Sequence, residues 1–165
     1  MNKSTEQGEP HAAPPLRVSH WLNTTQPLTL EALRGRVVVL HAFQMLCPGC
    51  VSHGLPQAQR VHDMFGADGV AVIGLHTVFE HHAAMTDVAL RAFVHEYRLT
   101  FPIGTDQPAA SGQVPLTMQA YALRGTPSLV LIDRAGRVRR HEFGPVSDLA
   151  VGAAIARLIA ERDAP

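Results

Sequence analysis

The chain has 165 residues, of which 46% are apolar and 17% charged, with fourteen basic and fourteen acidic side chains and a formal net charge of zero. That length fits one domain with a substantial buried core. Balanced charge without a basic block excludes nucleic acid and an anionic membrane as natural partners, and no stretch approaches the length of a membrane span.

Residues 1–15 are polar and contain proline, with no apolar segment of the kind a secretory signal needs. The expected location is therefore cytoplasmic, with residues 1–16 a flexible tail and 17–165 a single domain. Residues 16–22 and 27–30 read as short extended pieces forming an N-terminal hairpin, with Trp21 as a packing residue. Residues 31–35 suit one helical turn closed by Gly35. Val37 to Phe43 is an apolar run rich in β-branched residues, the pattern of a buried strand. A helix is expected from the cysteines at 47 and 50 to about Phe65, kinked at Pro56 after Gly54.

Residues 70–75 form a second apolar run, expected to lie parallel to the first. His76, His81 and His82 follow in a polar loop at the same carboxyl edge of the sheet. Thr86 suits the cap of a helix with Ala89, Phe93 and Tyr97 on one face and Leu90 and Val94 beside them. Residues 100–104 read as an edge strand, because Pro102 is tolerated there. Residues 115–123 suit a short helix with Met118, Tyr121 and Ala122 inward. A strand over 128–132, a turn and a return over 137–143 make a hairpin. Ser147 caps a last helix with Val151, Ile155, Leu158 and Ile159 on one face.

The chemistry concentrates at Cys47-Pro48-Gly49-Cys50, which holds the only two cysteines of the chain. A strand running into this motif and then a helix puts Cys47 at the helix N-terminus, with Pro48 in the first turn, where its missing N–H costs nothing. Unpaired N–H groups and the positive end of the helix dipole there favour thiolate, the form that attacks disulfides. Cys50, one turn further in, is placed to resolve a mixed disulfide. The competing readings of the pair are simple packing and metal binding.

Cys47-Pro48-Gly49-Cys50 after an apolar strand, with Gly125-Thr126-Pro127 ahead of Ser128-Leu129-Val130-Leu131-Ile132-Asp133, resembles the thioredoxin superfamily. The nearer likeness is to its TlpA/redoxin branch, which is AhpC/TSA-like, and it covers residues 21–144. This resemblance implies an α/β thioredoxin-like fold: a central mixed sheet flanked by helices, here with an N-terminal hairpin and an extra βα insertion. It implies that Pro127 is cis and faces the cysteines, and that Thr126 offers its backbone to an extended substrate. Pro48 and Gly49 then line the same substrate-facing groove. Thioredoxins carry a buried aspartate six residues before the first cysteine, and this chain has His41 there. An imidazole with a pKa near 6.5 suits proton exchange with Cys50. His53 stands where some relatives place a glutamate, and Arg124 is positioned to attract acidic partners.

The expected function is a thiol–disulfide oxidoreductase, a disulfide reductase in a reducing compartment, with Cys47 as nucleophile and Cys50 as resolving thiol. A peroxiredoxin-like peroxidase is the first alternative, but that family needs a threonine or serine and a proline where this chain has Gln44 and Leu40. The second is a metal-binding module using Cys47, Cys50, His53 and a loop histidine. No metal is expected in the favoured reading. The chain has no nicotinamide or flavin motif, so no cofactor is expected beyond the Cys47–Cys50 disulfide. Its partners are then a disulfide-containing protein or small-molecule thiol substrate and an external dithiol reductant.

Overall fold

The computed structural model of the protein describes residues 9–161. Its strands are β1 (His11–Ala12), β2 (Val18–Leu22), β3 (Val37–Phe43), β4 (Val70–His76), β5 (Ile103–Asp106), β6 (Ser128–Ile132) and β7 (Arg137–Phe143). The helices are α1 (Leu55–Phe65), α2 (Asp87–Glu96), α3 (Leu116–Ala120) and α4 (Asp148–Ala160), with a π turn at Cys50–Gly54 leading into α1. The strands form one mixed sheet in the order β1-β7-β6-β3-β4-β5-β2.

β3 lies at the centre, parallel to β4 and antiparallel to β6, and all seven of its residues are buried. Burial on both faces explains why it reads as continuous Val and Leu rather than as alternation. Its side chains divide by parity. Val37, Val39 and Phe43 join Cys50, Leu55, Leu90, Val151 and Ile155 under α1, α2 and α4. Val38, Leu40 and Ala42 join Leu30, Leu33, Met118 and Tyr121 on the other face, under α3 and the segment before β3. His41 is odd-numbered and so belongs to the α1 side, the face that carries Cys50.

Several expectations are corrected. No N-terminal hairpin forms: β2 crosses to the far edge and pairs antiparallel with β5, while residues 27–30 lead into a turn. β5 is consequently an inner strand with β4 on one side and β2 on the other, and it begins after Pro102. That proline stands outside the ladder, its carbonyl accepting the Gly74 N–H at 2.9 Å. Of the tail expected over 1–16, residues 1–8 lie outside the described ones, while His11–Ala12 pairs with Arg137 and Val138 of β7. Ala122 is exposed with φ 50°, and Leu123 is the inward residue.

The expected kink at Pro56 takes the form of the π turn, in which the Leu55 N–H donates to the Cys50 carbonyl. A proline has no N–H for the carbonyl four residues back and its ring collides with that carbonyl. Widening the turn just upstream removes the conflict, and Pro56 then sits in the first turn of regular helix.

Asp106, at the end of β5, ties the far side of the sheet together. Its buried carboxylate accepts the Thr117 and Met118 N–H groups at 2.8 and 2.9 Å and the Thr77 hydroxyl at 3.0 Å. Burial raises its pKa, and these hydrogen bonds act against that rise. Asp106→Ala leaves three buried donors unsatisfied and is expected to cost on the order of 2–4 kcal/mol in urea unfolding. A loss within experimental error would show that water replaces the carboxylate.

Candidate active site

β3 hands the chain to the site through Gln44, whose buried side chain fixes the turn. Its Oε1 accepts the Phe79 N–H at 3.2 Å and its Nε2 donates to Glu80 Oε1 at 3.4 Å. The helix begins directly after Cys47, whose carbonyl accepts the Val51 N–H at 3.1 Å. Cys47 and Cys50 are joined in a disulfide with their Cα atoms 5.2 Å apart. Cys47 is half-buried and Cys50 wholly buried, so only the first sulfur is open to attack from outside. The Cys50 N–H points at Cys47 Sγ at 3.2 Å. Together with the helix dipole, that donor stabilises negative charge on this sulfur once the pair is reduced.

The opposing wall comes from the loop before β6. Because β6 runs antiparallel to β3, with Ala42 opposite Ser128, its entrance falls beside the exit of β3. The Thr126–Pro127 peptide bond is cis. The Thr126 carbonyl oxygen lies 3.5 Å from Cys47 Sγ. A disulfide sulfur has no hydrogen to donate, so this is a contact in the oxidised state and becomes an acceptor for the thiol after reduction. A Cβ on Gly49 would stand 3.3 Å from Pro127 Cδ, which makes a bare backbone at 49 useful for close approach. The loop is pinned by the Gly144 N–H donating to the Pro127 carbonyl at 2.8 Å and the Ser128 hydroxyl donating to the Gly125 carbonyl at 2.7 Å. Pro48 is exposed beside the cysteines. The structure thus brings together Cys47, Cys50, Gly49, Thr126 and Pro127.

His41 lies beneath the π turn and is 2% exposed. A Cβ on Gly54 would overlap its Cε1 and lie 2.7 Å from its Nε2. Its Nδ1 is buried without a hydrogen-bond partner. The sequence suggests titration near neutrality, but burial, reinforced by nearby His53, lowers this histidine from 6.5 to about 4. It is a neutral imidazole at physiological pH.

The other histidines separate. His53 turns its Nε2 to the Val146 carbonyl at 2.7 Å, an oxygen that also accepts from Gln57 Nε2 at 2.8 Å. His76 is the last residue of β4 rather than a loop residue, buried beside Phe43 with ring centroids 5.2 Å apart, and burial lowers its pKa to about 4. His81 and His82 are exposed. Among the described residues, no three His, Cys, Asp or Glu side chains group closely enough to hold a metal ion.

Two contributors escape sequence reasoning. Gly54 reads there only as a helix breaker, although its position four residues after Cys50 marks it as part of the site. Phe143 is half exposed and packs on Gly125, where a Cβ would come within 2.9 Å of the ring. The Arg124 guanidinium lies over the same ring, 5.4 Å from its centroid, a cation–π arrangement.

A reactive cysteine pair at a helix start, faced by a cis-proline loop in this mixed sheet, defines a thioredoxin-like protein of thiol–disulfide chemistry. The AhpC/TSA family model matches residues 11–141, and the chain belongs to that family. A solved thioredoxin-like superfamily protein is 59% identical with a TM-score of 0.89, covering 92% of this chain and 97% of the other. A thiol-disulfide isomerase from Corynebacterium glutamicum is 49% identical with a TM-score of 0.86, covering 91% and 98%. Protein DipZ of Mycobacterium tuberculosis is 32% identical over 136 residues, 80% of this chain but 18% of that protein. The thiol-disulfide oxidoreductase ResA of Bacillus anthracis is 29% identical over 117 residues, 71% of this chain and 60% of ResA. The chain therefore spans less than two thirds of these two relatives.

His41 and His76 give a pH prediction. Both have folded pKa values near 4 against an ordinary 6.5, so the unfolded chain binds more protons between those limits. Stability is full above about pH 7 and is lost as pH falls from 6.5 towards 4, by up to about 3 kcal/mol per histidine. Urea midpoints measured between about pH 7 and pH 5 should fall, with a shallower slope in His41→Ala. A flat profile would show that neither imidazole is buried neutral.

Proposed function

We propose that this chain is a thiol–disulfide oxidoreductase acting as a disulfide reductase in a reducing compartment, the cytoplasm. The observation that carries the reading is the asymmetry of the pair: Cys47 is reachable at the helix start, while Cys50 is wholly buried and joined to it. In the reduced protein the Cys47 thiolate attacks one sulfur of a substrate disulfide. The substrate S–S bond breaks, one half leaves as thiolate, and Cys47 holds the other half in a mixed disulfide. Cys50 then attacks Cys47 Sγ, giving up its proton as the new S–S bond forms. The second substrate thiolate leaves, and the Cys47–Cys50 disulfide closes.

Two electrons have then passed to the substrate, and an external dithiol restores the pair. Thr126 and Pro127, with Pro48 and Gly49, form the groove in which a disulfide-containing protein or small-molecule disulfide is held. Neutral His41 accepts the Cys50 proton as sulfur charge develops and gives it up to the departing thiolate. Its low pKa makes a free imidazolium costly, so the proton moves as the S–S bond forms rather than beforehand. The peroxidase alternative is not favoured. The Gln44 side chain is committed to Phe79 and Glu80, and Leu40 is core, where peroxide chemistry asks for a hydroxyl and a proline.

Cys50→Ser is expected to accumulate mixed disulfides that reductant releases, and Cys47→Ser to form none. Both variants should lose insulin reduction, scored by turbidity in the presence of a dithiol. Trapping through Cys50 in the Cys47→Ser variant would reverse the roles, and peroxide consumption outpacing insulin reduction would favour the peroxidase.

A further inference from the structure

Gly54 is helical in the ordinary sense, with φ −63° and ψ −52°. Its backbone therefore asks for nothing that glycine alone supplies, and at such a position glycine weakens a helix relative to alanine. The space above it gives the reason for its presence. A Cβ there would be 3.3 Å from Pro127 Cβ, a contact that small shifts relieve, but it would overlap the His41 ring outright. The ring's strand neighbours are Gly74 of β4 and Leu129 of β6, and the space over Gly74 is already filled by Phe43, Phe101 and Ile103. Its Nδ1 is left without a partner in the oxidised state. The ring edge that meets Gly54 is Cε1 and Nε2, and the ring's other nitrogen, Nδ1, is the unpartnered one.

We infer that Gly54 is a positioning residue for the resolving step: its missing side chain seats the His41 imidazole under the π turn, so that the Cys50 thiol, released when the disulfide opens, finds His41 as its hydrogen-bond partner. The inference rests on the oxidoreductase reading above and adds a residue to it. The proton balance is unchanged, with Cys50 Sγ–H passing its proton to the imidazole as its sulfur bonds to Cys47 and the imidazole passing it to the departing thiolate. The π turn over the ring carries two titratable groups, Cys50 and His53, and the second acts on the ring electrostatically. Gly74 and Leu129, its neighbours in the adjacent strands, carry none.

The test uses the reduced full chain and 5,5′-dithiobis(2-nitrobenzoate). Cys47 attack releases one aromatic thiolate, and Cys50 attack on the resulting mixed disulfide releases the second. Gly54→Ala is expected to slow the second release on the order of tenfold or more and to shift its pH profile, while the first stays within about twofold. In a His41→Ala background the added Gly54→Ala should slow neither release further, because no ring remains to displace. If Gly54→Ala alone fails to fold but the double variant folds, the steric pairing of the two residues is equally supported.

An unchanged second release in Gly54→Ala would overturn the inference. So would an equal slowing with and without His41, or a double variant that also fails to fold. Loss of the first release in the unaltered protein would instead strike at the oxidoreductase reading itself.

Discussion

The site depends on the close approach of two backbones, the Cys47–Cys50 turn at the exit of β3 and the Thr126–Pro127 loop at the entrance of β6. Antiparallel pairing of those two central strands sets the distance, and Gly49 lets Pro127 come within contact of the turn. The approach is defended from behind, because the Pro127 carbonyl is bonded to the Gly144 N–H and Ser128 closes onto Gly125. A sulfur at the helix start would be reactive without this wall. With it, the Cys47 sulfur faces the Thr126 carbonyl, and the Pro127 ring lies against Gly49 beside it.

Beneath that surface the core accepts an electrostatic cost. β3 is buried along its whole length, yet it carries an imidazole with one unpartnered nitrogen in place of the apolar side chain its neighbours would tolerate. An unsatisfied buried polar atom costs about 1–3 kcal/mol, a large fraction of the stability of a small domain. The same burial holds the imidazole neutral, so under the proposed mechanism it would act through hydrogen bonding or concerted transfer. His76 carries the same cost, being equally buried with an unpartnered Nε2, and lies tilted against Phe43 at the end of β4.

Much of this was legible in the amino-acid order, where local chemistry and tertiary context agree. β3, the hairpin of β6 and β7, and the caps at Thr86 and Ser147 follow from patterning and side-chain chemistry that need no distant partner, and both hydroxyls accept the N–H groups expected of them. The two cysteines could be placed because a strand running into a helix start puts them there, and Pro127 because the thioredoxin resemblance implies its place opposite them. What escaped was non-local. Nothing in residues 16–30 says that β2 pairs with β5 across the sheet rather than with the segment beside it. Pro56 announces a disturbance but not the π turn that absorbs it, and the low pKa of His41 depends on burial that one strand's sequence cannot quantify. Gly54 was visible as a glycine and silent as to why, since its reason lies in a ring thirteen positions earlier.

The central claim is that the helix start, the Cys50 N–H and the Thr126 carbonyl make Cys47 the reactive sulfur. Its most direct measurement is a pH titration of the reduced protein by ultraviolet thiolate absorbance, with Cys50→Ser isolating Cys47. The account predicts a Cys47 pKa at least about one unit below the ordinary cysteine value near 8.5. A value at or above that would contradict it.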